Sequence, residues 1–450
     1  MHHHAPRRRR KAVALAAFGG LGLITAAQAG TPASAASTDT NPIGVVCTTD
    51  TANPGHATFN LETSSGYINL PDGNTAYMYG YNVAGQDFQH PGPVLCVTEG
   101  DEVTVTLTNT LRRDTSIIFP GQENVQADGQ AAQPQISSTT NEITSLTDVA
   151  AADGGTVTYT FTADHAGTFI YESGTDPDIQ VHMGLFGALI VRPTAAPSAS
   201  DRLRAYDGSA DSEFLTKNEF MVLLSEIDPY LNQSIENGDN KGTLTQGTKF
   251  NLSNFHPRYW LVNGRGFPDS IADNGASWLP AQPYGALARV KPNELALTHY
   301  LNVGTEDFPF HPHANNGTIV GRDGHPVTDG SGADASYEAF VINIGPGQTY
   351  DVQFSWHDAE DYDPQTNPVP VTVPQVANQV FGVFYSGSPY LGVVGDQPPG
   401  NQTLNQCGEY YIISHNHALY QITSWGVNMT GPITYMRIDP DTPAPGTTCP

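Results

Sequence analysis

The sequence predicts an all-β protein built from sandwich domains, and three observations carry that prediction. Short alternating runs recur along the chain, as in Val103-Thr104-Val105-Thr106-Leu107 and Thr156-Val157-Thr158-Tyr159-Thr160-Phe161, and a period of two is the mark of a half-buried strand. Glycine (45) and proline (34) are plentiful while charged residues make up 14%, which suits many strands joined by turns. No amphipathic helix longer than a few turns is legible, and many short strands without helices imply layered antiparallel sheets.

The chain opens with a basic run, Arg7 to Lys11, an apolar stretch, Ala12 to Ile24, and the small-residue site Ala27-Gln28-Ala29. These are the three parts of a secretory signal peptide over residues 1–29; the arginine run also suits twin-arginine export. A flexible Ala/Ser/Thr-rich leader follows over 30–45. The strand signals then fall into two groups, predicting domains at 46–195 and 216–450 with a linker at 196–215. In the first, Phe186 to Val191 is a short buried run. In the second, Ala339 to Ile344, Tyr350 to Phe354 and Tyr410 to Ile413 read as strands, and a Pro-rich stretch, 363–374, reads as a long loop.

The net charge is −26, and removal of residues 1–29, which hold five basic and no acidic side chains, takes it to −31. Such a charge argues against nucleic acid or an anionic membrane as partner. No second apolar run is long enough to cross a bilayer. Four cysteines, Cys47, Cys96, Cys407 and Cys449, in an exported chain favour two disulfides. Three pairings are open; Cys47–Cys96 with Cys407–Cys449 is preferred because each stays within one half.

The chemistry-bearing pattern is a pair of His-x-His motifs, His311/His313 and His415/His417. On a strand, residues i and i+2 share a face, so each motif presents two imidazoles side by side. Two such strands laid together gather four, a donor set that suits copper. The other histidines beyond residue 29 are single: His56, His90, His165, His182, His256, His299, His325 and His357. Of these, His182 and His299 are read as structural.

Several segments resemble the multicopper oxidase family. Pro91-Gly92-Pro93-Val94-Leu95 followed by Glu99-Gly100-Asp101-Glu102-Val103-Thr104-Val105 is similar to the entry of its first domain. Gly167-Thr168-Phe169-Ile170-Tyr171 with Met183 to Val191 resembles that domain's end. Tyr259-Trp260-Leu261-Val262-Asn263-Gly264 and Gly345-Pro346-Gly347-Gln348-Thr349-Tyr350 are similar to later signatures. Phe308-Pro309-Phe310-His311-Pro312-His313 and Ser414-His415-Asn416-His417 resemble the copper motifs. The resemblance implies two cupredoxin-like Greek-key domains, copper as cofactor and, by analogy with two-domain relatives, a homo-oligomer, a trimer.

The departures from the family's pattern are specific. Asn416 stands where the family has its blue-copper cysteine, Gln421 where a partner histidine belongs, and Phe308 at the leading histidine. Ser116-Ile117-Ile118-Phe119-Pro120-Gly121 and Tyr171-Glu172-Ser173-Gly174 occupy the positions of the first domain's two histidine pairs. Four of eight cluster positions match: His311, His313, His415 and His417 are the expected metal ligands. Glu172, Asp176 and Asp178 are carboxylates on those segments that are read as surface residues, and Asn416 or Asp307 would orient the imidazoles. No catalytic side chain and no organic cofactor site is legible.

Three functions follow from this reading. The first is a secreted copper-dependent oxidoreductase with an incomplete copper set, acting on a small molecule or a metal ion. The second is a non-catalytic extracytoplasmic copper-binding protein. The third is a structural protein that has lost its metal.

Overall fold

The structure, a computed structural model, describes residues 37–38, 41–50, 53–208, 212–240, 250–313, 316–357, 365, 409–424, 426, 429–443, 446, 448 and 449. The expected signal peptide, most of the leader, all of the Pro-rich loop but residue 365, and Cys407 lie outside them.

Alternation in the sequence becomes layering. The strand Glu102–Asn109 buries every second side chain and Gly155–Thr162 does the same; the two pair antiparallel in register. They lie in a sheet ordered Thr75–Val83, His56–Asn69, Glu102–Asn109, Gly155–Thr162, Gln126–Ala127, Gln130–Ala131. A second sheet, ordered Ser37–Thr38, Cys47–Thr49, Val94–Thr98, Phe186–Arg192, Gly167–Glu172, covers it. Phe59, Leu107, Leu95, Leu189 and Tyr159 fill the space between.

The second half repeats the plan. Tyr259–Val262, Glu219–Ile227, Leu295–Asn302 and Thr349–Ser355 lie side by side in a third sheet, extended by Gly317–Arg322 and its neighbours. Ala288–Val290, Ile433–Ile438, Tyr410–Asn416, Phe308–Pro312 and Ile342–Ile344 form a fourth. Equivalent strands even keep equivalent directions: His56–Asn69 runs parallel to Glu102–Asn109, and Glu219–Ile227 parallel to Leu295–Asn302. The two sandwiches meet through Val94, Ile170 and Ile190 on one side and Met221, Leu223 and Leu301 on the other. Strands at that junction are buried on both faces, which is why Glu219–Ile227 (EFMVLLSEI) and Phe186–Arg192 (FGALIVR) read as near-continuous apolar runs.

Cys47 and Cys96 are joined by a disulfide on neighbouring strands at this junction. Cys449 is also disulfide-bonded.

One sequence expectation changes, and two features add to the reading. The run Ala339 to Ile344 is not one strand: Tyr337–Ala339 pairs in the third sheet and Ile342–Ile344 in the fourth, because the chain changes sheets at Phe340, whose ring is left exposed. The segment 196–215 carries a hairpin, Arg202–Arg204 with Glu213–Leu215, pinned by fully buried Phe214 and by Arg204 on Glu213 at 2.6 Å. A three-turn helix, Pro229–Asn240, was not legible. Proline opens it, as suits a first helical position, and the Asp228 carboxylate accepts from the Tyr230 N–H at 2.9 Å. Its Leu231 and Ile235, one turn apart, are fully buried in the core of the first sandwich, so a helix from the second half closes the first.

Candidate metal centre

The four histidines come together through strand pairing. Phe308–Pro312 turns Phe308 and Phe310 into the core, leaving Pro309 and His311 on the opposite face. His311 pairs directly with His415 across the antiparallel ladder. His313 and His417 lie just beyond the paired strands, held by His313 N–H to the Ile413 carbonyl (3.0 Å) and His417 N–H to the Pro309 carbonyl (2.7 Å). Ring centroids are 4.7 Å apart for His311 and His313, 4.9 Å for His313 and His415, 5.5 Å for His311 and His417, and 5.7 Å for His415 and His417.

Backbone carbonyls set two of the rings. His311 Nδ1–H donates to the Phe340 carbonyl at 2.8 Å and His415 Nδ1–H to the Asn416 carbonyl at 2.7 Å. A proton on Nδ1 leaves Nε2 as the lone-pair nitrogen, the arrangement a metal-binding imidazole needs. Burial lowers the pKa of His415 to about 4, and that of His313 falls for the same reason, with neighbouring histidines adding to both shifts. The His313 and His415 Nε2 atoms stand 2.9 Å apart. Two nitrogens bound to one ion at about 2.0–2.1 Å would stand about 2.8–3.4 Å apart, so this pair fits a shared ion. Among the described residues no group of three or more His, Cys, Asp or Glu side chains is gathered closely enough to hold a metal as it stands. The donor chemistry fits copper; two of the four donors already converge. A cavity of about 570 Å3, lined by His311, Asn316, Glu338, Phe340, Trp356 and His357 among others, opens beside the cluster.

The positions expected to carry the blue-copper ligands are filled otherwise. Phe308 is a core side chain, and Asn416 and Gln421 are fully buried. Asn416 donates its side-chain amide to Gln421, and Gln421 Nε2 donates to Glu306 at 2.6 Å. Trp260 Nε1–H reaches the same carboxylate oxygen at 3.0 Å. Glu226, packed by Thr305, has its pKa pushed up to about 7 by burial, with Glu306 adding to it. Asp307 contributes its carbonyl to Gln421 (3.4 Å) and not its carboxylate to a histidine.

In the first sandwich the bridge Ile118–Glu172 is the counterpart of His311–His415. Around it lies a closed set of buried polar side chains. Ser116 Oγ is 2.8 Å from Thr175 Oγ1, which is 3.0 Å from Ser145 Oγ. Thr115 and Ser173 hydroxyls both donate to Gln180 Oε1 at 2.7 Å. Glu172 is half-buried, its pKa pushed up to about 7 by burial; it was read as a surface residue and instead sits at the edge of this region. Burial also raises Asp176, with Asp178 adding to it. None of these three carboxylates makes a hydrogen bond or ion pair with the four histidines among the described residues.

His182 and His299, each single in the sequence, make packing and polar contacts inside the fold. His182 packs on Phe255 with ring centroids 4.1 Å apart. His299 lies at the sandwich junction between Asp351 (2.7 Å) and Glu219 (3.1 Å), with Arg192 on Glu219 at 2.6 Å and Thr168 on Asp351 at 2.6 Å. Burial opposes its charge, yet the two carboxylates push its pKa up to about 9. Burial likewise opposes charge on Glu219, but Arg192 and His299 hold it at about 2. The sequence reading missed this network and Glu306, because their members are 27 to 183 residues apart and no local spacing marks them.

Comparison with known proteins agrees with the fold. Residues 66–196 match the multicopper oxidase family model, a stretch that lies in the half without the histidine pairs. Laccase abr2 of Aspergillus fumigatus is 34% identical over 108 residues, 23% of this chain and 16% of that protein's length. Among solved structures, the multicopper oxidase mgLAC is similar with a TM-score of 0.53 and 18% identity, covering 87% of each chain. The blue copper oxidase of Nitrosomonas europaea follows with a TM-score of 0.52 and 18% identity, over 85% of this chain and 86% of that one. The chain is thus similar in sequence to the multicopper oxidase family over residues 66–196 and shares the all-β, cupredoxin-like fold of these solved structures over most of its length.

Proposed function

We propose that the protein is an exported copper-dependent oxidoreductase with an incomplete copper set, its metal held by His311, His313, His415 and His417. The observation that carries this reading is the cross-strand pair His311–His415 with the His313 and His415 Nε2 atoms at 2.9 Å. Bound copper would supply one-electron redox chemistry. The chain's own residues do the rest. The carbonyls of Phe340 and Asn416 hold the imidazole tautomers, and buried Phe308 and Phe310 anchor the strand from beneath. The cavity beside His311 would admit a small molecule or a hydrated metal ion, and Glu338 with a net charge of −26 favours a cationic or neutral one. No helix among the described residues is long and apolar enough to cross a membrane. Export through residues 1–29, domains at 46–195 and 216–450, and assembly as a homo-oligomer, a trimer by analogy, belong to this proposal.

The second reading, a copper-binding protein without catalysis, is favoured by one observation: hydrogen-bonded amides occupy the positions of the thiolate copper site. Metal analysis of the copper-loaded protein, its paramagnetic resonance spectrum and its oxygen consumption with reductants separate the two. Copper bound without an intense blue colour, with oxygen consumed, supports the oxidoreductase. Copper bound with no oxygen consumed supports the second. No bound copper overturns both.

A further inference from the structure

The cavity of about 570 Å3 beside His311 joins one carboxylate to aromatic rings. Strand pairing builds its polar wall. Thr318 lies between Glu338 and Gln353 in the registers of three antiparallel strands, and cross-strand partners share a face. Gln353 spends its amide on the Glu213 carbonyl at 2.6 Å. The Glu338 carboxylate has no hydrogen bond or ion pair among the described residues. Two aromatic side chains belong to the same lining. Phe340 is tethered through its carbonyl, which accepts from His311 Nδ1–H at 2.8 Å, while its ring stands 6.0 Å from the His311 ring and is 64% exposed. Trp356 follows directly on the strand Thr349–Ser355. Among the described residues that line the cavity, Glu338 is the one acid, and none is lysine or arginine.

The lining discriminates between ligand classes. A bare divalent ion asks for several oxygen ligands, and one carboxylate beside two aromatic rings does not supply them. A neutral apolar molecule would use the rings and leave the carboxylate idle. A cation with an apolar shell uses both: its charge pairs with Glu338 and is attracted to the ring faces, while its carbon groups cover them. The net charge of −26 raises the concentration of cations at the surface. We propose that this cavity binds an organic ammonium ion, recognised by Glu338, Phe340 and Trp356. The inference names the ligand of the cavity in the copper reading above and rests on that reading for its purpose, but the binding itself needs no metal.

The test compares two probes of one shape. Choline, and its neutral isostere with carbon in place of nitrogen, are titrated by calorimetry into the full-length metal-free protein at pH 8. Choline should bind about 10-fold or more tightly than the isostere, since only the ion gains the charge and ring terms. Trp356→Leu should weaken choline by about 2–30-fold, the range of a cation–ring contact. Glu338→Gln should weaken it by about 2–5-fold, as for an exposed ion pair, reduce its salt dependence and leave the isostere unchanged. Magnesium ion, at the concentration of choline, should not displace it. Equal affinity for the two probes, no binding of choline, or its displacement by magnesium overturns the proposal, and this comparison in wild type needs no variant to fold. Choline held by a protein that takes up no copper overturns the copper reading alone. Copper bound without preference for choline overturns this inference alone.

Discussion

The two sandwiches place the same structural position in two chemical states. Around Ile118–Glu172 the first carries a sealed set of hydroxyls and one glutamine, every member spending its hydrogen bonds on its neighbours. Around His311–His415 the second carries four imidazoles, two of them with their Nε2 atoms 2.9 Å apart, beside a cavity. The difference teaches that the fold supplies a location and not a function. Satisfied polar groups stabilise a fold, whether they are hydroxyls or imidazoles.

The largest test of this contrast is on metal. The double variant His313→Ala with His415→Ala should lose copper by more than about 100-fold in affinity, beyond what loss of an orienting residue costs. Ser116→Ala with Ser173→Ala should leave it unchanged, as read by competition titration. Equal effects from the two would erase the distinction between the regions.

The junction that joins them comes next. His299→Gln should cost about 3–5 kcal/mol, because it leaves Asp351 and Glu219 buried with one cation fewer; urea unfolding measures it. The same group gives a pH signature. Its folded pKa, about 9, lies above the ordinary histidine value of 6.5, so its stabilisation is complete below about pH 6.5 and fades as the pH rises through about 9. Glu219, held at about 2, works the other way, losing its stabilisation as the pH falls from about 4.5 toward 2. Stability should therefore fall at both ends, and His299→Gln should flatten the alkaline limb.

Opening the Cys47–Cys96 disulfide, which closes a loop with a sequence separation of 49, should cost about 4 kcal/mol by chain entropy. Cys47→Ala with Cys96→Ala, unfolded beside wild type, reads it. The smallest effect is expected from the hydroxyl set. Ser116→Ala leaves Thr175 and Gly174 short of one partner, for about 1–3 kcal/mol and no change in copper.

Much of this was legible locally. Strands with one buried face, such as Glu102–Asn109, write their alternation into adjacent residues, and the two His-x-His motifs did the same for the face that gathers the four histidines. The helix Pro229–Asn240 was not, because its apolar face is two residues, Leu231 and Ile235, set among polar ones. The break at Phe340 was hidden because a strand that ends and one that changes sheets read alike.

What the sequence determined by itself was the all-β class and the two His-x-His motifs, since each rests on spacing or composition; among three cysteine pairings it only preferred the Cys47–Cys96 bond that the structure shows. What only the tertiary structure decided was that His311 lies opposite His415, that Glu306 collects Gln421 and Trp260, and that His299 sits between two buried carboxylates. Those depend on segments brought together from far apart in the chain, and a hydrogen bond has no period in the sequence.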